Sequence, residues 1–320
     1  MTYQSCLSAF MKPSATTIDT VTLPTPWLIY IKLTLVALLW GGTFIAGRFL
    51  AESLPAISAA TGRFSIAVLL LLLLVWKFEG GLPRLTLRQT LTTCALGITG
   101  VFLYNIGFFV ALSEMPASRT AVFVAFNPVV TVLLLALLFQ ERLSAGKLLG
   151  ILTALCGALI VISRGDLAQI FQDISSVFGK GELFMIGAVI SWAIYTIIGR
   201  HALIGLSPLV ATTYASLWGL ALLLISMFLD PAIEILPQIG WSTVGAIAYL
   251  GICGTVIAFV WFYQGVRQLG PARTAVFTNF VPVFGVLLGA LILDEPITSS
   301  LLLGITLVIC GVMLTNRGSV

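Results

Sequence analysis

Long apolar runs are what most constrain this chain. Stretches of about twenty residues with hardly a charge recur at about 31–50, 57–76, 90–112, 119–139 and 147–163. Five more follow at about 181–199, 208–229, 240–266, 273–293 and 300–315. A helix of ~18 or more apolar residues crosses roughly 30 Å of hydrocarbon, and in lipid its backbone hydrogen bonds are all satisfied within the segment. The expected fold class is therefore an all-α membrane protein with ten transmembrane helices. Composition excludes the soluble alternative: 59% of residues are hydrophobic and 9% charged, whereas a water-facing surface typically needs about 25% charged residues.

The formal charge of +4 consequently points to loops beside a lipid bilayer, with no nucleic acid partner. Lys12, Lys32, Lys77, Arg84, Arg88, Arg142, Lys147, Arg200, Arg267, Arg273 and Arg317 fall on the face shared by both termini. Arg48, Arg119, Arg164 and Lys180 fall on the other. This excess places both termini in the cytoplasm of a multi-pass plasma-membrane protein. Residues 1–30 read as a disordered cytoplasmic tail, 31–163 and 181–315 as two membrane units, 164–180 as an extracytoplasmic linker, and 316–320 as a cytoplasmic end. Cys6, Cys94, Cys156, Cys253 and Cys310 form no metal-binding spacing with the single His201, so neither a metal nor a cofactor is expected.

The two units are copies. Arg119-Thr-Ala-Val-Phe precedes Pro128, and Arg273-Thr-Ala-Val-Phe precedes Pro282, at a register of 273 − 119 = 154 residues. The same register lays Glu141 on Glu295, Gly150 on Gly304, Gly157 on Gly311, and Gly97-x-x-Gly100 on Gly251-x-x-Gly254. Trp40 and Gly47 align with Trp192 and Gly199 after a slip of two residues. With five spans per unit, the second copy enters the membrane from the opposite side. The expected architecture is two inverted five-helix repeats around a central cavity, an arrangement that recurs in secondary transporters. The aligned proline, the terminal glutamate and the Gly-rich run after it, present twice, resemble the EamA-type family of the drug/metabolite transporter superfamily from about residue 31 to 315. That resemblance implies a ten-helix bundle in a prokaryotic inner membrane that exports small metabolites or toxic compounds.

Several residues are candidates for lining a cavity. Pro128 and Pro282 sit near the middle of their runs, where a proline removes a donor and frees the carbonyls of Val124 and Thr278. The outcome is either a simple kink or acceptors turned to a cavity. Thr120, Asn127 and Thr131 share one helical face, whereas Val281 stands where the second copy would repeat Asn127, and Asn279 lies nearby. Such amides serve either a ligand or neighbouring helices. Trp40 with Thr43, and Trp192 with Tyr195, lie too deep for an interfacial belt. Tyr104, Asn105 and Trp261 add further polar or aromatic groups. Arg63 falls inside the second run, and intramembrane charge is a functional candidate when it does not snorkel. Facing a cavity, it would favour a carboxylate or phosphate.

Arg119, Arg273, Glu141 and Glu295 read as anchors or caps at run ends. No acid lies near the middle of a run, which leaves a proton-coupled mechanism without its usual titrating group. An enzyme is not expected, because no catalytic grouping falls at mid-membrane. A passive channel or a lipid-handling protein is the rival reading. As partners, the sequence leads us to expect a small-molecule substrate, and a monomer or weak homodimer.

Overall fold

The structure, a computed structural model, describes residues 26–139, 144–163, 165–166, 179–202, 204–229, 240–269, 274 and 277–317. The tail through residue 25, most of the 164–180 linker, residues 318–320, Cys6, Glu141, Arg142, Arg164 and Arg273 lie outside these residues, as do the side chains of Pro128, Arg200 and His201. Among the described residues the fold is helical, without strands.

The helices are α1 (Pro26–Ser53), α2 (Ala56–Glu79), α3 (Leu87–Glu114), α4 (Ala117–Val124), α5 (Asn127–Phe139) and α6 (Ala145–Ile162). They are followed by α7 (Lys180–Ala202), α8 (Pro208–Leu229), α9 (Trp241–Leu269), α10 (Phe280–Ile292) and α11 (Ser299–Arg317). Among the described residues, seven helical stretches are long and apolar enough to cross a membrane: α1, α2, α3, α4 running on into α5 as far as Leu134, α7, α8 and α9. α6, α10 and α11 carry shorter apolar stretches.

Why these segments need lipid is visible on α2. Ala60, Phe64, Ala67, Leu71 and Val75 recur every three or four residues and are buried, so one face packs inward. The opposite face still carries Leu69 and Leu73, more than half exposed. A helix apolar on both faces would be costly in water and is at home in hydrocarbon. The ends follow local chemistry. Thr86 and Gln89 form a reciprocal capping box that starts α3, and Gly80, at φ 72°, closes α2 in a left-handed turn.

Helix pairing follows the internal register. α6 packs on α11, and α2 on α8, each joining a helix to its counterpart in the other copy. Other pairs match across the copies: α1 on α9 is matched by α7 on α3, and α1 on α10 by α7 on α5. In the α6–α11 pair, a Cβ on Gly157 would stand 2.6 Å from the Gly304 carbonyl, and one on Gly311 would stand 2.6 Å from that of Gly150. The earlier glycine of one helix thus meets the later glycine of the other. The two helices run antiparallel, with backbones too close for any side chain between them.

The prolines act differently from a mid-helix kink. The fourth run breaks at Ala125–Phe126, whose N–H groups donate to Val122 and Phe123 at 3.1 Å, and α5 starts at Asn127. Asn279 is likewise a turn before α10. Pro128 and Pro282 are therefore in the first turn of a new helix. An N–H there has no intrahelical partner, so its loss costs little.

Candidate substrate cavity

Two helices are interrupted at equivalent places. α3 widens into a π segment over Gly97–Leu103, and α9 does so over Ile252–Ile257. A π turn releases backbone carbonyls from their regular partners, and polar side chains take them up. Asn105 Nδ2 donates to the Val101 carbonyl at 2.7 Å, and Thr255 Oγ1 to the Leu250 carbonyl at 2.9 Å. The Gly254 carbonyl accepts from Trp40 Nε1 at 3.1 Å and from Arg63 Nη2 at 3.4 Å.

Between these segments lies a cavity of about 40 Å³. Since one water takes roughly 10–15 Å³ by this measure, it holds only a few. It is walled by α1, α2, α3, the α4–α5 junction, α7, α9 and the start of α10. Arg63 enters from α2 and is 4% exposed. Its Nε donates to Thr255 Oγ1 at 2.9 Å and its Nη1 to Asn105 Oδ1 at 3.0 Å. Among the described residues no carboxylate pairs with it; the ion pairs there are Arg48–Glu52, Arg119–Glu182 and Lys180–Glu114. Asn127 is buried in the wall, and its Oδ1 has no partner.

Aromatic rings form much of the rest of the wall. Trp40 and Trp192, equivalent in the two copies, meet edge to face at 5.9 Å. Phe259 stands 5.9 Å from Trp40 and 5.7 Å from Trp192, and Tyr104 is 5.0 Å from Trp192. These separations suit edge and offset packing, which places the positive ring edge against a negative face. The copies do not contribute alike. At the 154-residue register, Asn105 corresponds to Phe259 and Asn127 to Val281, and all four line the cavity. One copy supplies amides where the other supplies apolar groups.

Of the residues expected from sequence, Trp40, Thr43, Arg63, Tyr104, Asn105, Asn127 and Trp192 line this cavity. Others lie elsewhere. Thr120 is buried, and its hydroxyl donates to the Pro116 carbonyl at 2.9 Å. Tyr195 backs Trp192 at 5.0 Å and accepts a hydrogen bond from Tyr263. Trp261 is half-buried beneath the Lys32 ammonium. Asn279 is buried beside the cavity with both side-chain polar atoms unpartnered, and Pro282 is buried in α10. Val124 and Thr278, whose carbonyls the prolines were expected to free, line it too, and Phe44, Gly100, Phe108, Phe259 and Val281 complete the wall without having been expected there. The repeated G-x-x-G was the available signal for the π segments. The register could have found Phe259 and Val281, as the positions opposite two asparagines.

A second group of contacts ties helices together at one end of the molecule. Glu295 Oε1 and Oε2 accept from the N–H groups of Ala117 and Ser118 at 2.7 and 2.8 Å, so a carboxylate caps α4. Arg119 pairs with Glu182 at 2.8 Å, tying α4 to α7. Arg48 donates to the Leu112 carbonyl at 2.5 Å, tying α1 to α3.

Fold and cavity together define a multi-pass helical membrane protein with a polar and aromatic chamber between its helices. The family model of the EamA-like transporter family matches residues 27–163 and again 179–317, and the chain belongs to that family. It is 30% identical over 287 residues to the uncharacterized transporter YyaM of Bacillus subtilis, a match covering 89% of this chain and 92% of that one. It is 27% identical over 282 residues to the uncharacterized inner membrane transporter YedA of Escherichia coli, covering 88% of each. A crystal structure of a protein 20% identical to this one superposes with a TM-score of 0.64, over 91% of this chain and 98% of that one. At that identity the likeness concerns the fold.

Proposed function

We propose that this membrane transporter is a secondary carrier that exports small organic solutes by alternating access, and that it spans the membrane ten times as two inverted repeats. The observation that carries the reading is the central cavity, walled by both copies and too small in this state for an organic solute. A cavity of this kind has to open to one side and then the other, whereas a channel needs a continuous polar pore. The antiparallel crossing of α6 and α11 supports the inversion. A two-fold axis exchanging antiparallel helices lies perpendicular to them, hence in the membrane plane when they span it. The excess of Lys and Arg on the terminal face supports cytoplasmic termini. A monomer suffices for the mechanism, because the cavity lies within one chain.

The test is flux in proteoliposomes. Trp40→Ala removes an aromatic wall and Asn127→Ala a buried acceptor; each is expected to lower solute flux severalfold while the folded fraction on size exclusion stays unchanged. Undiminished flux in both variants would remove the cavity from the transport path. A thermal-shift screen of amino acids, sugars, nucleosides and cationic drugs finds the cargo, since a solute that binds only the folded state raises its apparent stability.

A further inference from the structure

We infer that Arg63 makes this protein a carrier of small carboxylates bearing an apolar or aromatic body, and that it exchanges one such anion for another much faster than it carries out net transport. The inference rests on the carrier reading and names its cargo.

Arg63 is buried, lines the cavity and meets only neutral acceptors: Thr255 Oγ1, Asn105 Oδ1 and, at 3.4 Å, the Gly254 carbonyl. A guanidinium carries five N–H donors, and three are used. One N–H on each of Nη1 and Nη2 is spare, the number that a carboxylate engages in a two-point pair. The remaining wall offers groups suited to the rest of such a molecule once the cavity widens. Trp40, Trp192 and Phe259 offer ring faces and edges, and the unpartnered Asn127 Oδ1 offers an acceptor to a hydroxyl or amine near the carboxylate. The aromatic wall leaves the cargo's own acid as the counter-charge. Among the described residues no carboxylate pairs with Arg63; the Phe64 ring lies 5.4 Å from its guanidinium and carries no full counter-charge.

The consequence for the transport cycle follows from desolvation. When the cavity is open to either side, water solvates Arg63. The closed state between those openings strips that water away, and a buried charge without a counter-charge is costly. With a carboxylate aboard the closed state holds an ion pair, so the loaded carrier passes through it more readily than the empty one. Net transport requires the empty passage in every cycle, whereas exchange never does.

The experiment uses the full-length wild-type protein and three probes of matched shape: 3-phenyllactate, its uncharged amide 3-phenyllactamide, and phenyl phosphate. Binding is read at neutral pH by tryptophan fluorescence, to which Trp40 and Trp192 contribute, and by thermal shift. The expected result is binding of 3-phenyllactate at least about tenfold tighter than the amide, a difference that a two-point ion pair readily supplies. Phenyl phosphate binding better than 3-phenyllactate overturns the carboxylate assignment, as does binding of none of the three. Labelled 3-phenyllactate is then offered to proteoliposomes either empty or preloaded with the unlabelled compound. At least about tenfold faster entry into preloaded vesicles is expected; equal initial rates overturn the exchange inference. Protein-dependent flux of the amide above that of the carboxylate would leave carriage standing and overturn the anion. Arg63→Lys retains the charge without the fork and is expected to weaken binding, and Arg63→Gln to abolish it. The ligand series on the wild-type chain decides the matter even if neither variant folds.

Discussion

At the residue scale, Arg63 and Asn105 depend on each other. Asn105 binds the Arg63 guanidinium through Oδ1 and the π-segment carbonyl of Val101 through Nδ2. Asn105→Leu therefore leaves both a buried cation and a backbone acceptor short of a partner. A buried hydrogen bond to a charged group is worth about 1.5–3 kcal/mol, so the variant is expected to unfold at a clearly lower temperature in detergent. Arg63→Met removes the cation that needs the bond. The double variant is expected to be more stable than the sum of the two single losses predicts, and strict additivity would refute the coupling. Arg63 was legible in the sequence as an intramembrane charge. Its partners were not, because Thr255 and Asn105 lie 192 and 42 residues away and only packing brings them to it.

At the element scale, glycines separate into those that bring helices together and those that do not. Gly304 on α11 lies against Val161 and the Gly157 carbonyl, so Gly304→Leu forces α6 and α11 apart. Overpacking of this kind costs about 1–3 kcal/mol, and a matching fall in thermal stability is expected. Gly187 on α7 has nothing within 4 Å of a would-be Cβ. Gly187→Ala is expected to be neutral or stabilising by up to about 1 kcal/mol, because alanine restricts the unfolded backbone and favours helix. Comparable losses in both variants would show that the α6–α11 crossing is not a tight contact. The Gly150/Gly157 and Gly304/Gly311 pairs were readable from their repeat. The breaks before Pro128 and Pro282 were not, since a proline within an apolar run is compatible with a kink, a break or a new first turn. The turns at Ala125–Phe126 and Asn279 chose the last.

At the scale of the whole molecule, the proposed alternating-access cycle requires that opening at the Glu295 end release the contacts that hold α4. Glu295→Gln removes the negative charge from the α4 N-terminus, where a carboxylate is worth about 0.3–1 kcal/mol and up to ~2 when partly buried. The expected outcome is severalfold faster labelling of a Thr43→Cys reporter, on a cysteine-free background, by a membrane-impermeant maleimide offered from that side. An unchanged rate would show that Glu295 does not hold this end shut. The sequence alone determined that the chain lives in a bilayer, where the apolar segments lie and that they repeat, because hydrocarbon acts on every residue of a segment and a repeat is visible without coordinates. Tertiary structure alone decided which residues share the cavity. In lipid the outward and inward faces of a helix are both apolar, so periodicity could not distinguish Trp40 and Asn127, which line it, from Thr120, Tyr195, Trp261, Asn279 and Pro282, which do not. The register already set Phe259 and Val281 opposite two asparagines; only packing decided that all four line one cavity, because tertiary contacts choose which helix face turns inward.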